Sequence, residues 1–372
     1  MTLFSPKTTT SPLYLCRSIV VQCILWAVLM MSLATPAVAL TVDGLYQAQV
    51  SIDNQSAGQV QGAKKIGFAQ VIVKVTGQTQ SLNHARVRAA LLNTDAYVQH
   101  FSFATQTTGN ETQAVIELAF DQPRIDQLLA DSRLPVWGAE RAAVLVWLVE
   151  EKSGQRHIIN DMSHPVMAQV SSQAQQRGMP LLWPLLDIED QLNVDAGALW
   201  GLFKDQIQLA SARYQADAVL VGRMYQDDEL KWQLRWNFWL GDSEQQWSAQ
   251  GHQLNALVSP VQDRLAASLV AKFAMPLAIG VSQDSMVSLV VEQVNSLDDY
   301  EALQRLLRGL SGVRTIQLVR ATGQTLEYRL AIEASASQIK ATLDLTRSLS
   351  SIEELEVEQT DGGVNRWHYE WH

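Results

Sequence analysis

At 372 residues the chain is too long for one ordinary core, so two or three domains are expected. Its formal net charge is −10, and no block of lysine or arginine offsets that balance. Such a chain is poorly suited to nucleic acid, where phosphate neutralisation dominates affinity, and to anionic lipid for the same reason.

The first 39 residues differ from everything after them. Lys7 and Arg17 are their only charges, Ile19 to Ala34 is a nearly unbroken apolar run, and Pro36 precedes Ala37-Val38-Ala39. A basic start, an apolar middle and small residues at an A-x-A site make a secretory signal peptide, with cleavage expected between Ala39 and Leu40. The alternative, a retained membrane anchor, suffers from length: the run is about 16 residues, against the ~20 needed to cross a bilayer. Neither Cys16 nor Cys23 sits in a lipoprotein cleavage box. Both leave with the leader, so the remaining 333 residues carry no thiol and a net charge of −12. Disulfides, thiolate metal sites and cysteine nucleophiles are excluded from that chain, which must be held together by buried apolar area.

The expected fold is multidomain, α+β and α/β, divided at "LPVWGAE" (134–140) and "AMPLAIG" (274–280), where proline and glycine interrupt periodic sequence. Segment 40–134 reads as an α+β domain: an alternating strand at 45–52, a helix from Ser56 to about Lys74 stopped by Gly77, and a short helix over 82–92. A strand pair joined across "QTTGN" and a helix opened by Pro123 follow. The stretch "VIVKV" could equally be a strand, because short β-branched runs are ambiguous. Segment 141–275 reads as a mixed α/β layer domain. "AAVLVWLV" and "ADAVLVGRM" are continuous apolar runs typical of strands covered on both faces. Helices are expected over 164–177 and 195–214, with a short strand in "MPLLWPLL" between them. "LKWQLRWNFWL" alternates, with Trp232, Leu234, Trp236, Phe238 and Leu240 on one face and Lys231, Gln233, Arg235 and Asn237 on the other. It pairs with "EQQWSAQGHQL", and a helix over 261–274 closes the segment.

Segment 284–358 has the order β-α-β-β-α-β, the ferredoxin-like pattern. Ser296 and Asp299 resemble a capping box, Tyr300, Leu303, Leu307 and Leu310 form the first helix's stripe, and "IEELEVE" is its last strand. Residues 359–372 remain as an aromatic and histidine-bearing tail.

Several stretches resemble the proteobacterial family called domain of unknown function 2066: "VIVKVTG", "RAAVLVWL", "GMPLLWPLLDIED" and "ASARYQADAVLVGRM", with the Trp-rich hairpin behind them. The resemblance implies an exported, periplasmic protein of Gram-negative bacteria and carries over no catalytic residues. More faintly, the elements around "ADAVLVGRM" are similar to small α/β domains of envelope assembly proteins, such as the amino-terminal domain of the Tol translocation protein and curli-secretion lipoproteins.

Candidate chemistry is sparse. Asp187, Glu189 and Asp190 in "WPLLDIED" would lie at the carboxyl end of a strand, where α/β sheets bind ligands. A hard cation needs about six oxygens, which these three and Asp195 supply only in part. An acidic loop complementing the next helix's N-terminus is the simpler account. Ser337 and Lys340 match a serine–x–x–lysine element, but "SLN" (Ser81, Asn83) precedes it, so Ser337 is expected to cap a helix. His368, Glu370 and His372 share a face if the tail is extended, a loose metal trio. His157 and His164 have no ligand spacing. Trp232 and Trp236 belong to a core, whereas Trp239, on the polar face, could stack on glycan. With no cofactor motif, the expectation is a non-enzymatic envelope binding protein or scaffold with protein partners. The alternative is an envelope hydrolase or glycan-binding factor with a pocket in the middle domain.

Overall fold

The computed structural model describes residues 42–108, 111–276, 286–332, 335–352 and 365–372. The expected leader and its cleavage site at Ala39 and Leu40 lie outside these residues, which belong to one compact unit, 40–372. The architecture is α+β and multidomain in character: three principal sheets, each with its own apolar core.

The first sheet has the order β1-β3-β2 and is antiparallel throughout. Strand β1 (Gln47–Ser51) leads to helix α1 (Ala57–Thr76); helix α2 (Ala85–Ala90), strands β2 (Val98–Thr108) and β3 (Glu111–Phe120) and helix α3 (Gln122–Asp131) follow. The ambiguous "VIVKV" is helical. Phe68, Val71, Ile72 and Val75 are fully buried in the first core, so tertiary packing overrides β-propensity there. Helix α1 crosses the sheet closely at Gly67, where a Cβ would lie 2.5 Å from Leu118 Cδ1. It ends at Gly77, whose φ of +69° suits a glycine C-cap. Strand β4 (Pro135–Val136) begins the chain's exit from this layer.

The middle sheet runs β10-β9-β8-β5-β6, with β7 also paired to β5. Its members are β5 (Val144–Lys152), β6 (Gln155–Ile158), helix α4 (Pro165–Gln176), β7 (Leu181–Leu182), helices α5 (Ile188–Asn193), α6 (Ala196–Gly201) and α7 (Lys204–Ala212), strands β8 (Ala218–Gln226), β9 (Trp232–Leu240) and β10 (Ser243–Gly251), and helix α8 (Leu254–Phe273). Strand β5 is parallel to β8 and buried on both faces. Val144, Val146 and Leu148 join one core with α4 and α8, while Leu145, Trp147 and Val149 join a second with α6 and α7. The single helix expected over 195–214 is two helices, because Leu202 at φ +56° breaks it. The loop expected at 187–193 contains α5. Strand β11 (Met275–Pro276) pairs back to β4.

The last sheet has the order β13-β14-β12-β16-β15. Strand β12 (Met286–Glu292), helix α9 (Leu297–Gly309), strands β13 (Val313–Thr322) and β14 (Thr325–Ile332), helix α10 (Ala336–Leu345) and strand β15 (Leu349–Ser351) keep the expected order. The capping box forms: Asp299 N–H donates to Ser296 Oγ at 3.0 Å and Ser296 N–H to Asp299 Oδ2 at 2.9 Å. The sheet departs from the ferredoxin-like pattern at its end. The place beside β12 belongs to β16 (Asn365–Trp371), parallel to β12, and β15 lies outside it. The expected tail is thus an interior strand, because Trp367, Tyr369 and Trp371 alternate into the core. Residues 353–358 of the strand expected in "IEELEVE" lie outside the described residues.

Candidate functional site

The "WPLLDIED" stretch builds structure with its carboxylates and presents something else to solvent. Asp187 is the N-cap of α5, accepting from Asp190 N–H at 3.1 Å. Both of its oxygens are also gripped by Arg213, at 2.7 and 2.9 Å. These contacts, the Arg213 hydrogen bonds foremost, lower the Asp187 pKa to about 2. Glu189 is exposed, 3.5 Å from the same guanidinium. Asp190 is buried; its Oδ2 accepts from Leu186 N–H at 2.8 Å and from the Tyr214 hydroxyl. Asp195 caps α6 through Ala198 N–H at 2.7 Å. Three carboxylates converge on one arginine, and among the described residues no group of three or more His, Cys, Asp or Glu is arranged to hold a metal ion. The acidic cluster borders α5's own N-terminus as well as the next helix.

Because a bidentate arginine favours the carboxylate, removing it should release the shift. In Arg213→Gln, the Asp187 pKa is expected to rise from about 2 toward the ordinary carboxylate value, stopping short of it because the N-cap hydrogen bonds from the Asp190 and Glu189 backbone remain. Folded-state pKa depression means this contact stabilises above pH ~4 and is lost as pH falls toward 2. Carboxyl NMR titration of the two proteins reads the change; an unmoved Asp187 would refute the assignment.

The apolar residues of the same stretch point outward. Leu185, Ile188 and Leu192 are 70%, 77% and 81% exposed, and Phe203 and Leu209, flanking and on α7, are 60% and 68% exposed. Helices α5 and α7 are tied at both ends, by Arg213 to Asp187 and by Gln206 Nε2 to Asn193 O at 2.8 Å. The result is an apolar ridge over the second core of the middle sheet. Scattered exposed leucines need no explanation, but five large apolar side chains within 25 residues are a concentration that scatter does not account for. Asp187, Glu189, Asp195 and Asp205 on these elements outnumber Lys204 and Arg213, so the ridge has an acidic rim.

The other candidates are placed as follows. Trp239 is 3% exposed, packed with Trp147, Val221 and Leu199. The expectation of an exposed stacking ring is corrected: α6 and α7 cover the face that alternation marked as polar. Trp236 is buried and Trp232 packs against the opposite core, as expected. His368, Glu370 and His372 alternate on the outer side of β16. Glu370 accepts from the Gln293 amide, and His372 Nε2 lies 2.7 Å from Ser350 Oγ. Ser337 does not cap α10: Ser335 does, accepting from Gln338 N–H, and Lys340 pairs with Asp344 at 3.0 Å. Ser81 and Asn83 lie in a 3₁₀ turn (Thr79–Asn83), and His157 is exposed on β6 while His164 is the N-cap residue of α4. A polar cleft of about 480 Å³ follows β1 past Asp43, Lys74, His100 and Glu117, but Lys74 already donates to Gly44 O and Gln47 O. Among the described residues, no helix is long and apolar enough to cross a membrane.

Fold and surface together define a multi-sheet α+β protein with large apolar side chains exposed on and beside α5 and α7. Residues 39–138 match a family model described as "Domain of unknown function (DUF8605)". No curated protein matches the chain. Among solved structures, the LpoB C-terminal domain from Salmonella enterica is similar at 14% identity over 30% of this chain and 80% of that one, with a TM-score of 0.21. A formyltetrahydrofolate deformylase from Pseudomonas putida KT2440 aligns at 10% identity over 51% of this chain and 90% of that one, with a TM-score of 0.17. Both scores are too low to carry a structural argument.

Proposed function

We propose that this is an exported, non-enzymatic protein of the cell envelope that binds a partner protein through the ridge on α5 and α7. The observation that carries the reading is the exposure of Leu185, Ile188, Leu192, Phe203 and Leu209 on elements locked in place by Arg213. A surface so apolar costs solubility unless something covers it. Its carboxylate rim favours a partner with apolar residues bordered by Lys or Arg, and repels an anionic lipid face. Export to the periplasm is supported by the basic start, apolar run and A-x-A site of residues 1–39. The same reading puts the chain with the exported domain-of-unknown-function 2066 proteins. The hydrolase or glycan-binding alternative is weakened by the burial of Trp239 and the engagement of Asp187 and Asp190 in capping and packing contacts.

A photo-crosslinking residue at Leu192, in living cells, should give a discrete adduct that the same residue at exposed Leu230 does not. The double variant Ile188→Glu, Leu192→Glu should lose partner binding at almost unchanged stability, within ~0.5 kcal/mol, since both side chains are in solvent. Equal adducts at both positions, or none at Leu192, would overturn the binding assignment. Residues 1–60 fused to an export-dependent reporter test export separately; a silent reporter would remove that part.

A further inference from the structure

Helices α2 and α3, with the 3₁₀ turn Thr94–Ala96 between them, frame a groove of about 650 Å³ that opens to solvent. Arg86, Ala90 and Asn93 enter it from α2 and the turn after it, and Arg124, Leu128 and Asp131 from α3. Both series have the spacing i, i+4, i+7, which keeps side chains on one helix face. Ala90 and Leu128 are buried and make an apolar floor with the half-buried Tyr97, whose ring is fixed against Phe68 at 5.1 Å. The rim is cationic in a chain that is acidic as a whole. Its carboxylate, Asp131, already accepts from Gln127 Nε2 at 2.8 Å. Arg124 donates to Ala96 O and lies 3.6 Å from Asp121. Arg86 is different: among the described residues its guanidinium makes no hydrogen bond or ion pair. A groove of this volume, apolar below and with few polar groups at its rim, has the form of a small-molecule site, for which ~300–1,000 Å³ is the ordinary range.

We propose that this groove binds a small amphipathic carboxylate, its apolar body over Ala90, Tyr97 and Leu128 and its carboxylate against Arg86. The planar fork of an arginine matches a carboxylate through two parallel hydrogen bonds, and Arg124 adds positive potential from the facing helix. A neutral apolar molecule gains nothing from either guanidinium. A bare anion leaves the floor in water, and a cation meets two arginines. The groove shares no residue with the ridge on α5 and α7, so the inference stands apart from the proposed function.

Isothermal titration calorimetry of the purified protein with octanoate, 1-octanol and acetate tests both demands, at matched ionic strength and below micelle-forming concentrations. Octanoate should bind, and 1-octanol and acetate should each bind about tenfold more weakly or worse. Arg86→Gln, at an exposed position, should keep the melting temperature and weaken octanoate about tenfold or more, through the loss of a charge-assisted contact. The ridge variant Ile188→Glu, Leu192→Glu should bind octanoate as the natural chain does, which separates this groove from the other exposed apolar surface. No binding of octanoate, equal affinity for 1-octanol, equal binding by Arg86→Gln, or loss of binding in the ridge variant would each overturn the assignment.

Discussion

Arg141→Met is expected to destabilise the protein by ~3–5 kcal/mol, the range for removing one member of a buried charged network. Arg141 is buried, and its five N–H groups meet five carbonyl oxygens: Nε to Gly138 at 2.8 Å, Nη1 to Arg177 and Gly178 at 2.8 and 2.9 Å, and Nη2 to Lys74 and Trp137, each at 2.7 Å. Not one of these acceptors is a carboxylate. Lys74 O belongs to the last turn of α1, while Arg177 and Gly178 follow α4. Each helix C-terminus presents roughly half a negative charge, so two of them offset a buried guanidinium without an acid. The Trp137 ring, 4.2 Å away, contributes its π-face. Burial lowers the Arg141 pKa to about 9, which leaves the side chain cationic at neutral pH. Methionine matches the stem but abandons five buried carbonyls and the junction between the first and middle sheets. Lysine, with three donors, should recover only part of the loss. Urea unfolding of the three proteins decides the matter, and a methionine variant within ~1 kcal/mol of the natural chain would refute this role.

That junction explains why parts of the fold were legible in the sequence and others were not. Local chemistry was readable. Gly77 stops α1, Pro123 opens α3, Ser296 and Asp299 make their box, and the doubly apolar runs became β5 and β8. Arg141 was invisible because its acceptors lie as far as 67 positions away in sequence. Alternation along β9 separates the two faces correctly, yet it cannot say that helices cover both, which is why the pattern alone puts Trp239 at the surface. The Trp-x-Tyr-x-Trp rhythm of residues 367–371 was visible as a period of two, but its place beside β12 depends on long-range pairing. The ridge is the sharpest case. Apolar residues at 185, 188 and 192 have the spacing of a buried helix stripe, and only the tertiary placement of α5 turns that stripe outward.

Asp190 connects that ridge to the core, and Asp190→Ala should cost ~2–4 kcal/mol for the buried donors it leaves unpaired. The loss should fall at the upper end of that range because of what one of those donors does. Leu186 has φ +51°, a left-handed conformation unfavourable for a branched side chain, and its N–H is held by Asp190 Oδ2 at 2.8 Å. The same oxygen receives the Tyr214 hydroxyl, while Oδ1 lies 3.3 Å from Arg213. Without the carboxylate, Leu186 can relax to an ordinary conformation, the start of α5 loosens, and Leu185, Ile188 and Leu192 lose their fixed spacing. Asp190→Asn separates these effects: with its carbonyl in the place of Oδ2 it can still accept from Leu186 and Tyr214, but its amide then turns a donor toward Arg213, so an intermediate loss is expected. Hydrogen exchange should show the 185–193 amides opening first in both variants, with the other strands of the middle sheet still protected. If Asp190 instead belonged to a cation site, adding calcium or magnesium would stabilise the natural protein, and Asp190→Ala would abolish that gain without disturbing the exchange of Leu186.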